Sequence, residues 1–241
     1  MSPPVEWSLV VPLKPLTAAK SRLAEAVGPV RTGLALAFAQ DTVAAALACE
    51  AVRNVTVVTD DPLAGAALGA LGARIQPDSP AAGLNAALRH GAEAVRQSLP
   101  AAAVAALNAD LPALRPAELA AVLRAAGRCP GRSFLADAAG IGTTLLAATP
   151  GAALAPAFGG PSRARHRASG AHEIALPDVD SVRRDVDTGE DLTAALVLGV
   201  GPHTRALLRP GLRAATRDGA AGAGPGGCPA TGAPAPGSGA R

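Results

Sequence analysis

The stretch Ala101–Pro112, AAAVAALNADLP, decides how this chain is read. Its alanines and leucine favour a helix on propensity alone. Yet the apolar run Ala102–Leu107 is short, with Pro100 before it and the turn-forming NADLP after it. A short apolar run between such breakers suits a buried strand. Read as a strand, it delivers one carboxylate, Asp110, to its tip, on a backbone stiffened by Pro112.

Working outward, SLVVPLK (8–14) is a β-branched and aliphatic run stopped by Pro12 and Pro15, and VRNVTVVTDD (52–61) is a strand ending in a Thr-Asp-Asp turn. Between them, Leu34, Ala37, Phe38, Val43 and Leu47 recur at helical spacing within 29–52. A short helix follows at 62–72, a small strand at 73–77 and a helix from Gly83 through GLNAALRHGAEAVRQ. Beyond Asp110, residues 116–127 read as helix, and SFLADA (133–138) and GTTLLAA (142–148) as strands. Alternating strands and helices predict an α/β fold around a mainly parallel central sheet. Ligands of such sheets collect at the carboxyl ends of the strands. Lys14, Asp60, Asp61 and Asp110 all fall at such ends.

Composition narrows the function. The 241 residues carry 22 Lys+Arg against 19 Asp+Glu, a net charge of +3 too mild for a nucleic-acid footprint. With 2% aromatic residues there is no stacking surface for single strands, so no nucleic acid is expected. No apolar stretch approaches the roughly 18 residues of a membrane span, and MSPPVEWSLVVPLK has no basic leader before an apolar segment. Cys49, Cys129 and Cys228 lack metal-ligand spacing and even pairing, which fits a reducing cytoplasm. Residues 218–241 hold 8 Gly, 7 Ala and 4 Pro, too little apolar bulk to offset ordering entropy. The expected organisation is a folded domain over 1–216 and a disordered tail over 217–241.

Four segments carry chemistry. In VPLKPLTAAKSRLA (11–24), Lys14, Lys20 and Arg22 follow the first strand, and the two lysines are the only ones in a chain rich in arginine. A compact ammonium acts as a point charge on phosphate oxygens, so this loop reads as a phosphate binder rather than as a solvated basic loop. There is no GxxxxGK[ST] and no GxGxxG after the first strand, which counts against a P-loop kinase and a dinucleotide-binding dehydrogenase. Asp110 has two readings, a Mg²⁺ ligand or the cap of a helix starting in ADLPALRPAEL. DVDSVRRDVDTGEDL (178–192) offers Asp185 and Asp187, which would share one side of an extended strand and could complete a metal site with Asp110. Asp191 reads as the cap of the helix that follows. Finally, GIGTT (140–144) and FGGPSRARHRASGA (158–171) combine glycines, the hydroxyls of Thr143, Thr144 and Ser162, and the cations Arg163, Arg165, His166 and Arg167. Together these could cradle a second small anion. No Ser-His-Asp elbow, HExxH or CxxC is present. That absence suits a nucleophile that is already an anion, because phosphoryl transfer needs positioning and charge neutralisation more than a base.

Taken in order, VVPLKPLTAAKSRLA, TDDP, GLNAALRHG, ADLPAL, GIGTTLL, FGGPSRARHRASGA and RRDVDTGEDL resemble the guanylyltransferases of coenzyme F420 biosynthesis, over about residues 7–200. The resemblance implies a Rossmann-like nucleotidyltransferase fold of the GT-A-like kind. It implies a reaction in which phosphoenolpyruvate and GTP give enolpyruvyl-diphospho-5′-guanosine and pyrophosphate. The implied acceptor positions are Thr144, Gly159 and Ser162, and the implied metal carboxylates are Asp110 and Asp187, for Mg²⁺. Lys14, Lys20 and Arg22 match the triphosphate loop, and Gly83, Leu84 and Asn85 lie where the guanine is met. Ile141 stands where the pattern has a small polar residue, and Pro161 stiffens the turn before Ser162. Alternative acceptors are 2-phospho-L-lactate and 3-phosphoglycerate, and a non-catalytic GTP-binding regulator is the rival from another class. A homodimer is a candidate assembly.

Overall fold

The computed structural model describes residues 5–17, 23, 30–79 and 81–209. Its central strand is β1 (Trp7–Pro12), buried from Trp7 to Val11 because it is paired on both edges and covered on both faces. It pairs in parallel with β2 (Val52–Val58) and β4 (Ala103–Leu107). β4 is buried at every position and starts one residue later than expected, so the boundary argument overrides alanine's helical propensity. The chain continues through α1 (Arg31–Leu47), α2 (Pro62–Ala70), β3 (Arg74–Gln76), α3 (Leu84–Ser98), α4 (Pro116–Gly127), β5 (Arg132–Ala136) and β6 (Thr143–Ala148). It closes with α5 (Ser162–Ala168), β7 (His172–Glu173), α6 (Asp180–Arg183), α7 (Gly189–Leu198) and α8 (Pro202–Leu208). The proposed boundary at 216 and the tail lie outside the described residues.

The sheet order is β3-β2-β1-β4-β6-β5-β7. All neighbours are parallel except β6, which runs antiparallel to both β4 and β5. A short connection, 137–142, joins β5 to β6 and permits that reversal without a crossover helix. The consequence is that β6 begins, rather than ends, at the carboxyl edge of the parallel strands. Thr143 and Thr144 are thereby brought to that edge.

Side chains alternate along β1 to supply two cores. Leu9 and Val11 join Val43, Val55 and Leu119 on one face, whereas Val10 joins Val58, Leu88 and Phe134 on the other. Asp61 caps α2, its Oδ1 accepting from the amides of Leu63 and Ala64. The cap of α7 is Thr188, with Asp191 at the third helical position in a reciprocal capping box, which moves Asp191 from the capping role expected of it. α4 starts at Pro116 with Arg115 before it, so Asp110 does not cap the helix of ADLPALRPAEL. No helix among the described residues is long and apolar enough to cross a membrane.

α3 lies unusually close to the sheet at Gly91. A Cβ there would sit 2.5 Å from Val10 Cγ1 and 2.7 Å from Val58 Cγ2. Because both valines are buried and branched, Gly91→Ala should destabilise the fold by about 1–3 kcal/mol, visible in denaturant melts as a lower midpoint. An unchanged midpoint would show that this helix can step away from the sheet.

Candidate active site

The turn after β4 is fixed by three different parts of the chain. Asn108 N donates to Thr144 O (3.0 Å) at the start of β6, and Asp110 O accepts from Val186 N (3.0 Å). Leu111 N donates to Thr42 Oγ1 at 3.0 Å, and the Thr42 hydroxyl has Phe38 O at 2.7 Å and Ala109 O at 3.2 Å as acceptors. Thr42, fully buried on α1, therefore brackets Asp110 from both sides in the chain. The contact from Val186 lays the segment 185–187 beside the turn, with Asn108 Nδ2 at 3.5 Å from Asp185 Oδ2. Asp185 is half-buried and meets the β4 tip directly, while Asp187 is exposed one step further out. Asp191 supports this segment: its Oδ2 accepts from the amides of Asp187 (3.2 Å) and Thr188 (2.9 Å). The Asp110 turn and the segment that carries Asp185 and Asp187 are thus neighbours, and carboxylates are donors suited to a hard cation.

On one side lies the loop after β1. Lys14 is exposed there, and Lys20 and Arg22 lie outside the described residues. The loop is tied to the β2 tip twice, through Leu13 N to Val58 O (2.9 Å) and Leu16 N to Asp61 Oδ2 (2.9 Å). Amides of Ala64, Leu16 and Leu63 hold the Asp61 carboxyl below the usual carboxylate range. Gly83 stands before α3 at φ 90°, a backbone state that favours glycine, with open space around it. Asn85, expected at the guanine, has its carboxamide committed elsewhere. Its Nδ2 donates to Phe158 O at 3.1 Å and its Oδ1 accepts from Phe158 N at 2.8 Å. This side chain joins α3 to the loop leading into Gly159.

On the other side lie Thr144, Gly159 and Ser162. Thr144 and Ser162 are buried, and the Thr144 hydroxyl has no hydrogen-bond partner among the described residues. Gly159 is exposed at φ 93°. The two glycine loops are bolted together. Arg163 N donates to Ile141 O, and Arg163 Nη1 donates to Gly140 O at 2.9 Å. Asp137 accepts from the amides of Ile141 (2.9 Å) and Gly142 (2.7 Å), shaping the turn before β6.

The arginine and histidine cluster is not one anion cradle. Arg163 and Arg167 both pair with Glu173 on β7, so their charge is already answered. His166 is fully buried, packed against Phe134 and Phe158, and burial pushes its pKa down to about 4, with Arg132 and Arg165 adding to the effect. Its Nε2 accepts from Ala157 N at 3.0 Å, which leaves the proton on Nδ1 to donate to Thr143 Oγ1 at 2.9 Å. His166 is thus a neutral brace that ties α5, β6 and the loop 152–158, rather than an anion ligand. By contrast, a cavity of about 680 Å³ lined by Ser8, Arg53, Leu99 and Ala102 opens at the amino ends of the strands, the opposite edge from all these groups.

A seven-stranded sheet with its polar loops gathered at the parallel strands' carboxyl edge is the nucleotide-diphospho-sugar transferase fold, and family membership makes the chain a nucleotidyltransferase. Solved structures share the fold. A candidate nucleotide-diphospho-sugar transferase from Desulfovibrio desulfuricans superimposes with a TM-score of 0.59 at 16% identity, over 89% of this chain and 95% of that one. A nucleotidyl transferase from Methanothermobacter gives 0.56 at 21% identity, over 80% and 97%. Residues 7–219 match the family described as guanylyl transferase, CofC like, and the chain belongs to that family. Its relatives include the phosphoenolpyruvate guanylyltransferase of Streptomyces avermitilis, 68% identical over 86% of this chain and 98% of that one. The protein of the same name from Thermomonospora curvata is 62% identical over 83% and 88%.

Four supporting residues, Thr42, Asn108, Asp137 and Glu173, had no reading of their own in the sequence. Only Asn108 carried a usable signal, as one of three asparagines in the chain. Thr42→Val should lower kcat about tenfold or more by loosening the Asp110 turn, and Thr42→Ser should restore it. Equal activity of all three proteins would remove Thr42 from the site. His166 gives a pH signature. Its folded pKa is depressed from 6.5 to about 4, so its contribution is complete above about pH 6.5 and is lost as the pH falls toward about 4. Thermal midpoints should drop across that window in the wild type and less steeply in His166→Asn.

Proposed function

We propose that the protein transfers GMP from GTP to phosphoenolpyruvate, releasing pyrophosphate and forming enolpyruvyl-diphospho-5′-guanosine, as a cytoplasmic step of coenzyme F420 biosynthesis. The observation that carries this reading is the adjacency of two different environments. The acidic β4 turn and the glycine- and hydroxyl-lined loops share a backbone hydrogen bond, Asn108 N to Thr144 O. Two phosphorylated substrates can therefore meet over it. The names of the relatives, at up to 68% identity over nearly their whole length, supply the acceptor.

The donor set fits a divalent cation such as Mg²⁺. It consists of carboxylate oxygens from Asp110 with Asp185 or Asp187, on the β4 turn and the segment hydrogen-bonded to it. That matches an ion held by one or two carboxylates and completed by substrate phosphates and water. Bound there, the ion would neutralise phosphate charge and polarise the α-phosphoryl group.

The chain's own residues then act by placement. Lys14, with Lys20 and Arg22, offsets charge on the β- and γ-phosphates of GTP. The open backbone at Gly83 and Leu84 receives the base. Thr144, Ser162 and the Gly159 amide hold the acceptor. Its phosphate oxygen attacks the α-phosphorus in line, the new P–O–P bond forms, and the α–β bridging bond breaks with its electron pair leaving on pyrophosphate. The nucleophile is already an anion, so no base is required.

The decisive measurement is pyrophosphate release from GTP and Mg²⁺ with phosphoenolpyruvate, 2-phospho-L-lactate or 3-phosphoglycerate in parallel. Phosphoenolpyruvate should give the highest kcat/KM. Asp110→Ala should lower turnover by at least about 10²-fold with an unchanged melting midpoint. GTP binding without pyrophosphate release would establish the regulator instead, and near-normal turnover in Asp110→Ala would remove the cation from the β4 turn.

A further inference from the structure

α5 presents three arginines, and only two of them have their charge answered. Arg163 and Arg167, four residues apart, lie on one face and share Glu173. Arg163 is further held by Gly140 O. Arg165 lies between them in sequence, about 200° around a helix from each, and so faces away from Glu173. It is exposed, and among the described residues its guanidinium has no hydrogen bond or ion pair.

Its location is specific. Arg165 Nη2 lies 4.0 Å from the point a Cβ on Gly159 would occupy. The guanidinium therefore reaches back over the glycine loop, beside the buried hydroxyl of Ser162 one turn away. The Thr144 hydroxyl, fully buried and without a partner, is a second polar group on this side still lacking one. Such groups are rare in folded proteins unless a ligand or water answers them.

The order of strands adds a direction. Asp110 follows β4 with the 185–187 segment beside it, Thr144 stands on β6, and α5 with its loop lies beyond, toward β5 and β7. An acceptor laid along that row with its phosphate at the β4 turn directs its other end toward Gly159 and Arg165. For every acceptor considered above, that end is a carboxylate. A planar guanidinium binds a carboxylate by two parallel hydrogen bonds, a match that a lysine cannot make.

We infer that Arg165 is a specificity-determining residue that receives the carboxylate of the acceptor, and that it selects phosphorylated carboxylic acids over phosphate esters lacking a carboxylate. The inference rests on the guanylyltransferase reading and sharpens it: the phosphate is handled by the β4 turn, and the acid group by α5. Arg163 and Arg167 serve to hold the helix that carries the recognising residue.

The test compares wild type, Arg165→Gln and Arg165→Lys in the pyrophosphate assay. Arg165→Gln should raise KM for phosphoenolpyruvate by roughly ten- to hundredfold, with KM for GTP changed by less than about twofold. Arg165→Lys should recover part of the loss. As inhibitors, 3-phosphoglycerate should bind wild type more tightly than glycerol 3-phosphate. Arg165→Gln should abolish that preference by weakening only the carboxylate-bearing compound. Equal weakening of both inhibitors, or an unchanged KM for phosphoenolpyruvate, would overturn the assignment while leaving the guanylyltransferase reading intact. A wild-type protein releasing no pyrophosphate with any phosphorylated acid would overturn both.

Discussion

Everything at the carboxyl edge depends on one pairing, that of β4 with the reversed strand β6. Leu107 lies opposite Leu145, and Asn108 N closes the ladder on Thr144 O at 3.0 Å. A parallel β6 would have carried Thr143 and Thr144 to the far edge of the sheet, away from Asp110. The antiparallel register instead sets the first residues of β6 beside the last of β4. The acidic turn and the glycine loops become neighbours through main-chain hydrogen bonds alone. Backbone pairing of this kind, buried and continuous with the core, is stiffer than any side-chain bridge could make it.

Around that pairing, buried polar groups are answered one by one, which is what makes the loops rigid. His166 accepts from Ala157 and donates to Thr143, and Asn85 closes both ends of its carboxamide on Phe158. A buried network is favourable only when satisfied, and these residues satisfy each other across elements far apart in the chain. The same logic singles out the groups left over. Among them, the Thr144 hydroxyl and the Arg165 guanidinium have no hydrogen-bond partner among the described residues, and both stand on the side of the glycine loops.

The electrostatics divide in the same way. The net charge of +3 says little, because it does not say where the charges stand: on α5, Arg163 and Arg167 share the one carboxylate of Glu173. Two described cations stand at the carboxyl-edge loops: Lys14 after β1, and Arg165 over Gly159. A carboxylate pair lies between them at the β4 turn. Cations flanking carboxylates are the arrangement the proposed reaction needs, since they offset the repulsion between two phosphorylated molecules.

Much of this was legible in the residues as written. Short apolar runs between Pro and turn signals marked the strands, helical spacing marked α1, α3 and α4, and alternation of the two implied the parallel sheet. Residue scarcity pointed to the carboxyl edge, since Lys14 follows β1, Asn108 follows β4 and Asn85 stands in the first turn of α3. Such features are local, and backbone preference and rarity need no knowledge of what lies across the fold. Partnership does need it. Thr42 reaches Leu111 from 69 residues away, and Asp191 serves the segment before it as well as the helix after it. Whether an arginine is free or bound, and whether a histidine is charged or neutral, follows from what packs against it. Arg163, Arg165, His166 and Arg167 look like one basic cluster along the chain and become three different things in space. Helical rotation turns them to different faces, and each face meets a different neighbour.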